Sequence, residues 1–198
     1  DYTDVRGNVV NNGFDYYTSP CFWDDHHSKL ALMGLLSPDV TCDVIRSITD
    51  MGEKRNGFMP TYFHGDHAST FISGTWSRGI HDFDLERAYK LILKNATVAG
   101  PGGRDYMAEY LERGWISDKD TTGTRFDIEF KGGAQKVLEY TYDDYATALV
   151  AQFVGDQENY EKLIEQSKNY RNIFNPENGF YQGRTPDGGW IRDFDPDY

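Results

Sequence analysis

Carboxylates beside a tryptophan are the first residues here that could do chemistry. In Phe22-Trp23-Asp24-Asp25-His26-His27 the indole of Trp23 offers a flat apolar face, and Asp24 or Asp25 can accept two hydroxyl hydrogens at once. That pairing suits a sugar. The plainer role for one of the two aspartates is to cap the helix that follows, but one helix needs one cap. A second group, Phe63-His64-Gly65-Asp66-His67-Ala68, sets two histidines about an aspartate. It lacks the spacing of a helical His-Glu-x-x-His zinc motif. Asp66 is therefore expected as the N-cap of a helix, and His67 as part of a polar wall lining a pocket. The third group is Leu138-Glu139-Tyr140-Thr141-Tyr142-Asp143-Asp144-Tyr145. Glu139 and Asp143 stand four apart and share a helix face. Glycoside hydrolysis uses paired carboxylates, but it flanks the bond from opposite sides, whereas two on one helix point the same way. Bracing of an inner helix against neighbouring loops is the expected role. The sequence contains no nucleophile elbow, P-loop or dinucleotide fingerprint.

The elements that must position these groups are helical. Residues 1–26 read as an irregular opening. A helix is expected from about His27 to Leu36, followed by Ser37 as N-cap and Pro38 at the first position of the next. Val40, Val44, Ile45, Ile48 and Met51 continue it at helical spacing, and Gly52 or Gly57 ends it. Further helices are predicted over 68–78, after Asp82 or Asp84, and through Tyr106 to Gly114. A long one runs from 135 to 154 with Gly155 as its stop, and another from Asp156 to about 174. Residues 117–130 read as loop, with a strand only around 126–130, and residues 175–198 as loop. Seven successive helices with short connections imply antiparallel hairpins. Strongly amphipathic helices alternating with more apolar ones suggest two layers, as in an α/α toroid.

Composition narrows the partners. Of 198 residues, 14 are Tyr, 12 Phe and 4 Trp, too aromatic for a disordered chain. The net charge of −12 repels nucleic acid and anionic membranes, so neither is an expected partner. No apolar run approaches the length that spans a bilayer. The chain opens on Asp1-Tyr2-Thr3 without a signal-peptide pattern. Cys21 and Cys42, without Cys-x-x-Cys spacing, are expected as buried free thiols. Asn95-Ala96-Thr97 is a sequon, but on a predicted helix it reads as coincidence.

An ordered series of motifs resembles glycoside hydrolase family 92, the exo-acting α-mannosidases. It begins with Asn12-Gly13-Phe14-Asp15-Tyr16-Tyr17 and Phe22-Trp23-Asp24, the latter similar to that family's Trp-Asp-Thr signature. It continues through Asp84-Leu85-Glu86-Arg87-Ala88-Tyr89, Tyr110-Leu111-Glu112-Arg113-Gly114 and the segment from Val137 to Tyr145. It closes with Ser167-Lys168-Asn169-Tyr170-Arg171-Asn172-Ile173-Phe174-Asn175-Pro176-Glu177-Asn178-Gly179-Phe180.

The resemblance implies an all-α chain forming an incomplete part of an (α/α)6 toroid over residues 1–198. The family's N-terminal β-sandwich and the other half of the toroid are expected outside it. It implies hydrolysis of terminal α-mannose from glycans with inversion, of α-1,2 type, and a secreted or periplasmic setting. Ca²⁺ is the implied cofactor, with ligands expected mostly outside this chain and no metal ligand or catalytic residue assigned within it. Asp24 matches the family aspartate that contacts mannose; Trp23, Asp25 and His67 complete the expected substrate-binding set. Asp25 stands where the family has Thr. The family's Glu-Gly-Asn-x-x-Trp-Gln-Tyr acid segment and its later base segment do not occur in residues 1–198. This chain is therefore expected not to turn over substrate alone, and the missing half of its own domain is an expected partner. Two other readings remain: a non-catalytic sugar-binding or scaffold protein, and another toroid enzyme, trehalase-like or a lyase, working through Glu139 or Asp143.

Overall fold

The structure is a computed structural model that describes residues 2–4, 6–11, 13–61, 65–118, 131–192 and 194–196. Phe63, His64 and most of 117–130, with its candidate strand, lie outside the described residues. The described residues form eight α-helices and two small hairpins. Strands β1 (Tyr2–Thr3) and β2 (Val9–Val10) pair antiparallel, Tyr2 opposite Val10. Asp4 closes their turn by accepting from the Asn8 and Arg6 backbone N–H groups. The Tyr2 and Tyr16 rings stack 3.6 Å apart, and both hydroxyls donate to Asp50. The opening expected to be irregular is thus a hairpin strapped to the third helix, and it also contains the short helix α1 (Phe22–Asp25).

Helix α2 (Lys29–Leu36) is followed at once by α3 (Pro38–Lys54). Ser37 holds the N-cap position before Pro38 as expected, but its side chain makes no capping bond. The chain leaves α3 through Asn56 and Gly57, both in the left-handed region. Helix α4 (Ala68–Ser77) leads to α5 (Leu85–Thr97), whose cap is Asp84: its carboxylate accepts from the Arg87 N–H at 3.0 Å. Helix α6 (Met107–Arg113) stops at Gly114, and α7 (Gly133–Val154) at Gly155, each glycine left-handed as a stop requires. Helix α8 (Gln157–Gln166) is capped by Asp156. It ends earlier than its apolar spacing suggests. Ser167 donates its hydroxyl to the Ile164 carbonyl, and a 3₁₀ helix over Asn169–Ile173 carries the chain onward. Strands β3 (Phe174–Asn175) and β4 (Phe180–Tyr181) form the second hairpin.

Helix α4 packs against α2, α5 and α7, helix α3 against α2 and α5, helix α5 also against α7, and α8 lies along α7. The main core lies among these helices and includes Ile45, Ile48, Phe71, Ile72, Ala88, Ile92 and Val150. The all-α class and the hairpin arrangement are those expected from the sequence. Helix α7 has a mixed buried face, in which Val137, Tyr140 and Val150 share the interior with polar side chains. It buries Asp143, Asp144, Thr141 and Thr147 while Leu138, Tyr142, Tyr145 and Phe153 face outward. Ala146, Ala148 and Ala151 let its neighbours approach closely. No helix among the described residues is long and apolar enough to cross a membrane.

Close packing gives opposite outcomes for two helical glycines. A Cβ on Gly52 would stand 2.7 Å from the Phe58 carbonyl oxygen and 2.8 Å from Leu91, whereas one on Gly34 meets only Ile80 at 3.5 Å. Gly52→Ala is expected to destabilise the chain by about 1–3 kcal/mol through overpacking. Gly34→Ala should stabilise it by up to about 1 kcal/mol through helix propensity. Urea unfolding of both variants measures the contrast.

Candidate functional site

The three sequence groups converge. Helix α7 carries Glu139, Asp143 and Asp144 past the loop before α4 and past α1. Asp143, fully buried, accepts from the Asp66 backbone N–H at 2.9 Å and from His67 Nδ1 at 2.6 Å. The other nitrogen of His67, Nε2, stands 3.2 Å from Glu139 Oε2. Its alignment falls short of a good hydrogen bond, so attraction of charges dominates that contact. The remaining Glu139 oxygen, Oε1, accepts from Trp23 Nε1 at 3.0 Å.

A second set of charges lies deeper. Arg104 follows the turn at Gly100-Pro101-Gly102-Gly103 and is buried with its carboxylate partners. Its Nε donates to Asp66 at 2.7 Å and one terminal nitrogen to Asp144 at 2.5 Å. Asp144 also accepts from the Tyr110 hydroxyl at 2.7 Å and the Gln166 amide at 3.0 Å. The Arg104 guanidinium lies 5.1 Å from the centre of the Tyr140 ring.

Charge counting explains the electrostatics. Three buried carboxylates, Asp66, Asp143 and Asp144, face two buried cations, Arg104 and His67. One further proton balances them. Burial pushes Asp66 up to about 7; Arg104 opposes the rise and the charge of Asp143 adds to it. For His67 burial works against the charged ring. The hydrogen bond to Asp143 and the negative charges of Asp143 and Glu139 outweigh that and carry its pKa up to about 10. His67 is an imidazolium at neutral pH. The neighbouring His26, stacked on it at 4.5 Å, is pushed down by burial and by the charge of His67.

The expected site residues separate into two kinds. Trp23 is half-buried and Asp24 exposed at the same corner, where the Cys21 thiol donates to Asp24 at 2.7 Å. Asp25 is committed to Lys29 one turn along, at 2.8 Å. His67 is not the pocket wall expected of it: it is 1% exposed, with both nitrogens facing carboxylates. Nor is Asp66 an N-cap. His67 holds that position before α4, and the Asp66 carboxylate turns inward to Arg104. Glu139 and Asp143 brace α7 against that loop, as their shared face suggested. Cys21 and Cys42 are both free, but Cys21 is only partly buried. Asn95 of the sequon is buried, its amide donating to the Met59 carbonyl. Sequence reasoning missed Arg104, Tyr110 and Gln166. The signal available was a lone arginine beside a glycine-rich turn, in a chain with more buried-type carboxylates than cations to match them.

Cavities lie elsewhere among the described residues. One of about 500 Å³ is lined by residues including Phe14, Arg46, Asp50 and Arg87. Another of about 240 Å³ lies between α2, α4 and α7, lined by His26, Leu30, Arg78 and Tyr145 among others. Among the described residues no group of three or more His, Cys, Asp or Glu side chains is placed to hold a metal. The buried carboxylates already have Arg104 and His67 as counter-charges, so this cluster does not fit Ca²⁺.

Removing Arg104 leaves two buried carboxylates without compensation. Arg104→Met is expected to lower unfolding free energy by about 3–5 kcal/mol; a loss below about 1 kcal/mol in urea unfolding would contradict the pairing. His67 supplies a pH test. Its folded pKa is raised from about 6.5, so its stabilisation is full below pH 6.5 and is lost as pH climbs through about 10. Stability should fall over that interval by a few kcal/mol at about 1.4 kcal/mol per pKa unit, and His67→Gln should flatten the slope.

Comparison with known proteins identifies the family. The sequence model described as Glycosyl hydrolase family 92 catalytic domain matches residues 1–198. A comparison with curated protein sequences found no match. Among solved structures, the chain is similar to the family GH92 α-mannosidase BT3965 from Bacteroides thetaiotaomicron, at 25% identity and a TM-score of 0.86, covering 98% of this chain and 26% of that one. The same enzyme in complex with mannoimidazole matches equally well. The family GH92 inverting mannosidase BT2199 from Bacteroides thetaiotaomicron matches at 27% identity and a TM-score of 0.83, with 98% and 26% covered. This chain thus spans about a quarter of the length of the proteins it resembles. The chain belongs to glycosyl hydrolase family 92, and residues 1–198 fall within that family's catalytic domain.

Proposed function

We propose that this chain forms part of an inverting exo-α-mannosidase, of α-1,2 type, in which Trp23 and Asp24 meet the terminal mannose. The observation that carries this is the match, over 98% of the chain, to two family 92 mannosidases, one of them also solved with mannoimidazole. The local chemistry supports it. The Trp23 face can stack on the apolar side of a pyranose, and Asp24 can accept its hydroxyl hydrogens.

The general acid, the general base and the calcium ligands belong, in this reading, to polypeptide other than this chain. Glu139 and Asp143 are poor candidates for acid and base. Asp143 is fully buried behind His67, and Glu139 is engaged by His67 and Trp23. That also weighs against a trehalase-like or lyase chemistry through these two residues. An inverting site separates its two carboxylates enough to admit a water, which a pair on one helix turn does not do.

Leu138, Tyr142, Tyr145 and Phe153 of α7 are exposed, as are Leu32, Leu35 and Leu36 of α2. In this reading further helices of the same domain cover them, completing the (α/α)6 toroid, with a β-sandwich preceding it.

The test is release of mannose from an α-1,2-linked mannobiose by this chain and by a longer protein containing it, with and without a chelator. The longer protein should release mannose and lose that activity to the chelator; the chain alone should not turn over. Asp24→Ala in the longer protein should lower kcat/KM by roughly 10- to 100-fold, the loss of a charge-assisted hydrogen bond in the transition state. Undiminished activity in Asp24→Ala would contradict the assignment of the corner.

A further inference from the structure

We infer that Glu139 is a positioning residue: it fixes the indole plane of Trp23, with His67 and Asp143 as its rigid backing. The inference rests on the reading that Trp23 meets the sugar, and it adds the device that holds Trp23 in place.

Helix α1 cannot hold that ring unaided. It is four residues long, its N-terminus has no side-chain cap, and Phe22 is its only buried residue. Phe22 anchors the backbone through its contact with Phe71, ring centres 5.8 Å apart. That contact does not by itself set the rotation of the next side chain. A bond from Nε1 to Glu139, a residue 116 positions away on α7, ties the Trp23 ring to the body of the protein. The acceptor is a carboxylate, which makes the bond stronger than one between neutral groups.

Glu139 is in turn held. One oxygen takes the indole N–H and the other faces His67 Nε2. His67 cannot swing, because Nδ1 is locked at 2.6 Å onto Asp143, and Asp143 also accepts the Asp66 backbone N–H. The chain of contacts therefore runs from a half-buried ring to a fully buried carboxylate in the middle of the longest helix. A second route starts at the same histidine. The His26 ring stacks on His67, and its Nδ1 lies 3.1 Å from the Trp23 carbonyl oxygen and 3.0 Å from that of Phe22. Carbonyl oxygens only accept, so that nitrogen carries the proton. His67 thus stands behind the Trp23 side chain through Glu139 and behind its backbone through His26. An aromatic platform serves a sugar only when its plane is set in advance. Each rotor left free must be frozen on binding, which weakens affinity.

The experiment follows the indole N–H signals of the chain by NMR, with nitrogen-15 in the tryptophans. Trp23→Phe identifies the Trp23 signal, and those of Trp76, Trp115 and Trp190 report whether each variant is folded. In Glu139→Leu the Trp23 signal should move upfield and exchange with water at least about tenfold faster, the loss of one hydrogen bond to a charged group. In Glu139→Gln, which keeps an amide oxygen for the indole, signal and exchange should stay near those of the unmodified chain. A Trp23 signal unmoved in Glu139→Leu, with the other three in place, overturns the inference. So does a Gln variant that behaves as the Leu variant does. Titration of a longer protein containing the chain with mannoimidazole separates this from the reading beneath it. If the probe never shifts the Trp23 signal of that protein while Glu139→Leu does, the sugar contact fails and the positioning stands. If the probe shifts it equally in that protein and in its Glu139→Leu variant, the sugar contact stands and the positioning fails.

Discussion

A buried arrangement of charge on one helix organises the rest of the molecule. Helix α7 takes Asp143 and Asp144 into the interior, where a carboxylate is tolerated only if paired and hydrogen-bonded. Arg104 and His67 supply the pairing, and both come from loops. The loops before α4 and α6 are therefore tied to α7 by charge rather than by apolar packing alone. Tyr110 and Gln166 extend the same network to α6 and α8. One helix in this way fixes the positions of segments spread over a hundred residues of sequence.

Such a network sets geometry more than it adds stability. Its apolar equivalent could be as stable, since desolvating several charges offsets most of their attraction. What it provides is direction: each hydrogen bond fixes an angle as well as a distance. The consequence is felt at the Trp23–Asp24 corner, which sits on a four-residue helix anchored in the core by Phe22. The rigidity of that corner comes from α7 through Glu139. Beside its buried polar side chains the helix exposes Leu138, Tyr142, Tyr145 and Phe153, and in a larger domain that face has neighbours to meet.

Local features of this fold were legible in the sequence and non-local ones were not. Ser37-Pro38, Asp84, Gly114 and Gly155 mark helix ends because the conformations they permit belong to those residues themselves. The bracing role of Glu139 and Asp143 followed from their four-residue spacing. Helix α1 and the strands of the hairpins are too short to show any period. Arg104 pairs with residues 38 and 40 positions away, and no local pattern announces it. Asp66 shows how local reasoning errs. Its type and place before a helix are those of a cap, but a buried guanidinium is the stronger partner. The Trp23–Asp24 corner could be picked out by residue type and by family resemblance. Its connection to α7 could not, because that bond joins residues 116 positions apart.

The account centres on the claim that mannose is met by Trp23 and Asp24 at a corner held from within by α7. Its most direct test is a crystal structure of a longer protein containing this chain, with mannoimidazole bound. The account predicts the pyranose-like ring lying over the Trp23 indole, its hydroxyls donating to Asp24, and the Trp23–Glu139 bond intact. A ligand seated elsewhere, in the cavity beside Phe14 and Arg46 for example, with Trp23 and Asp24 untouched, would contradict it.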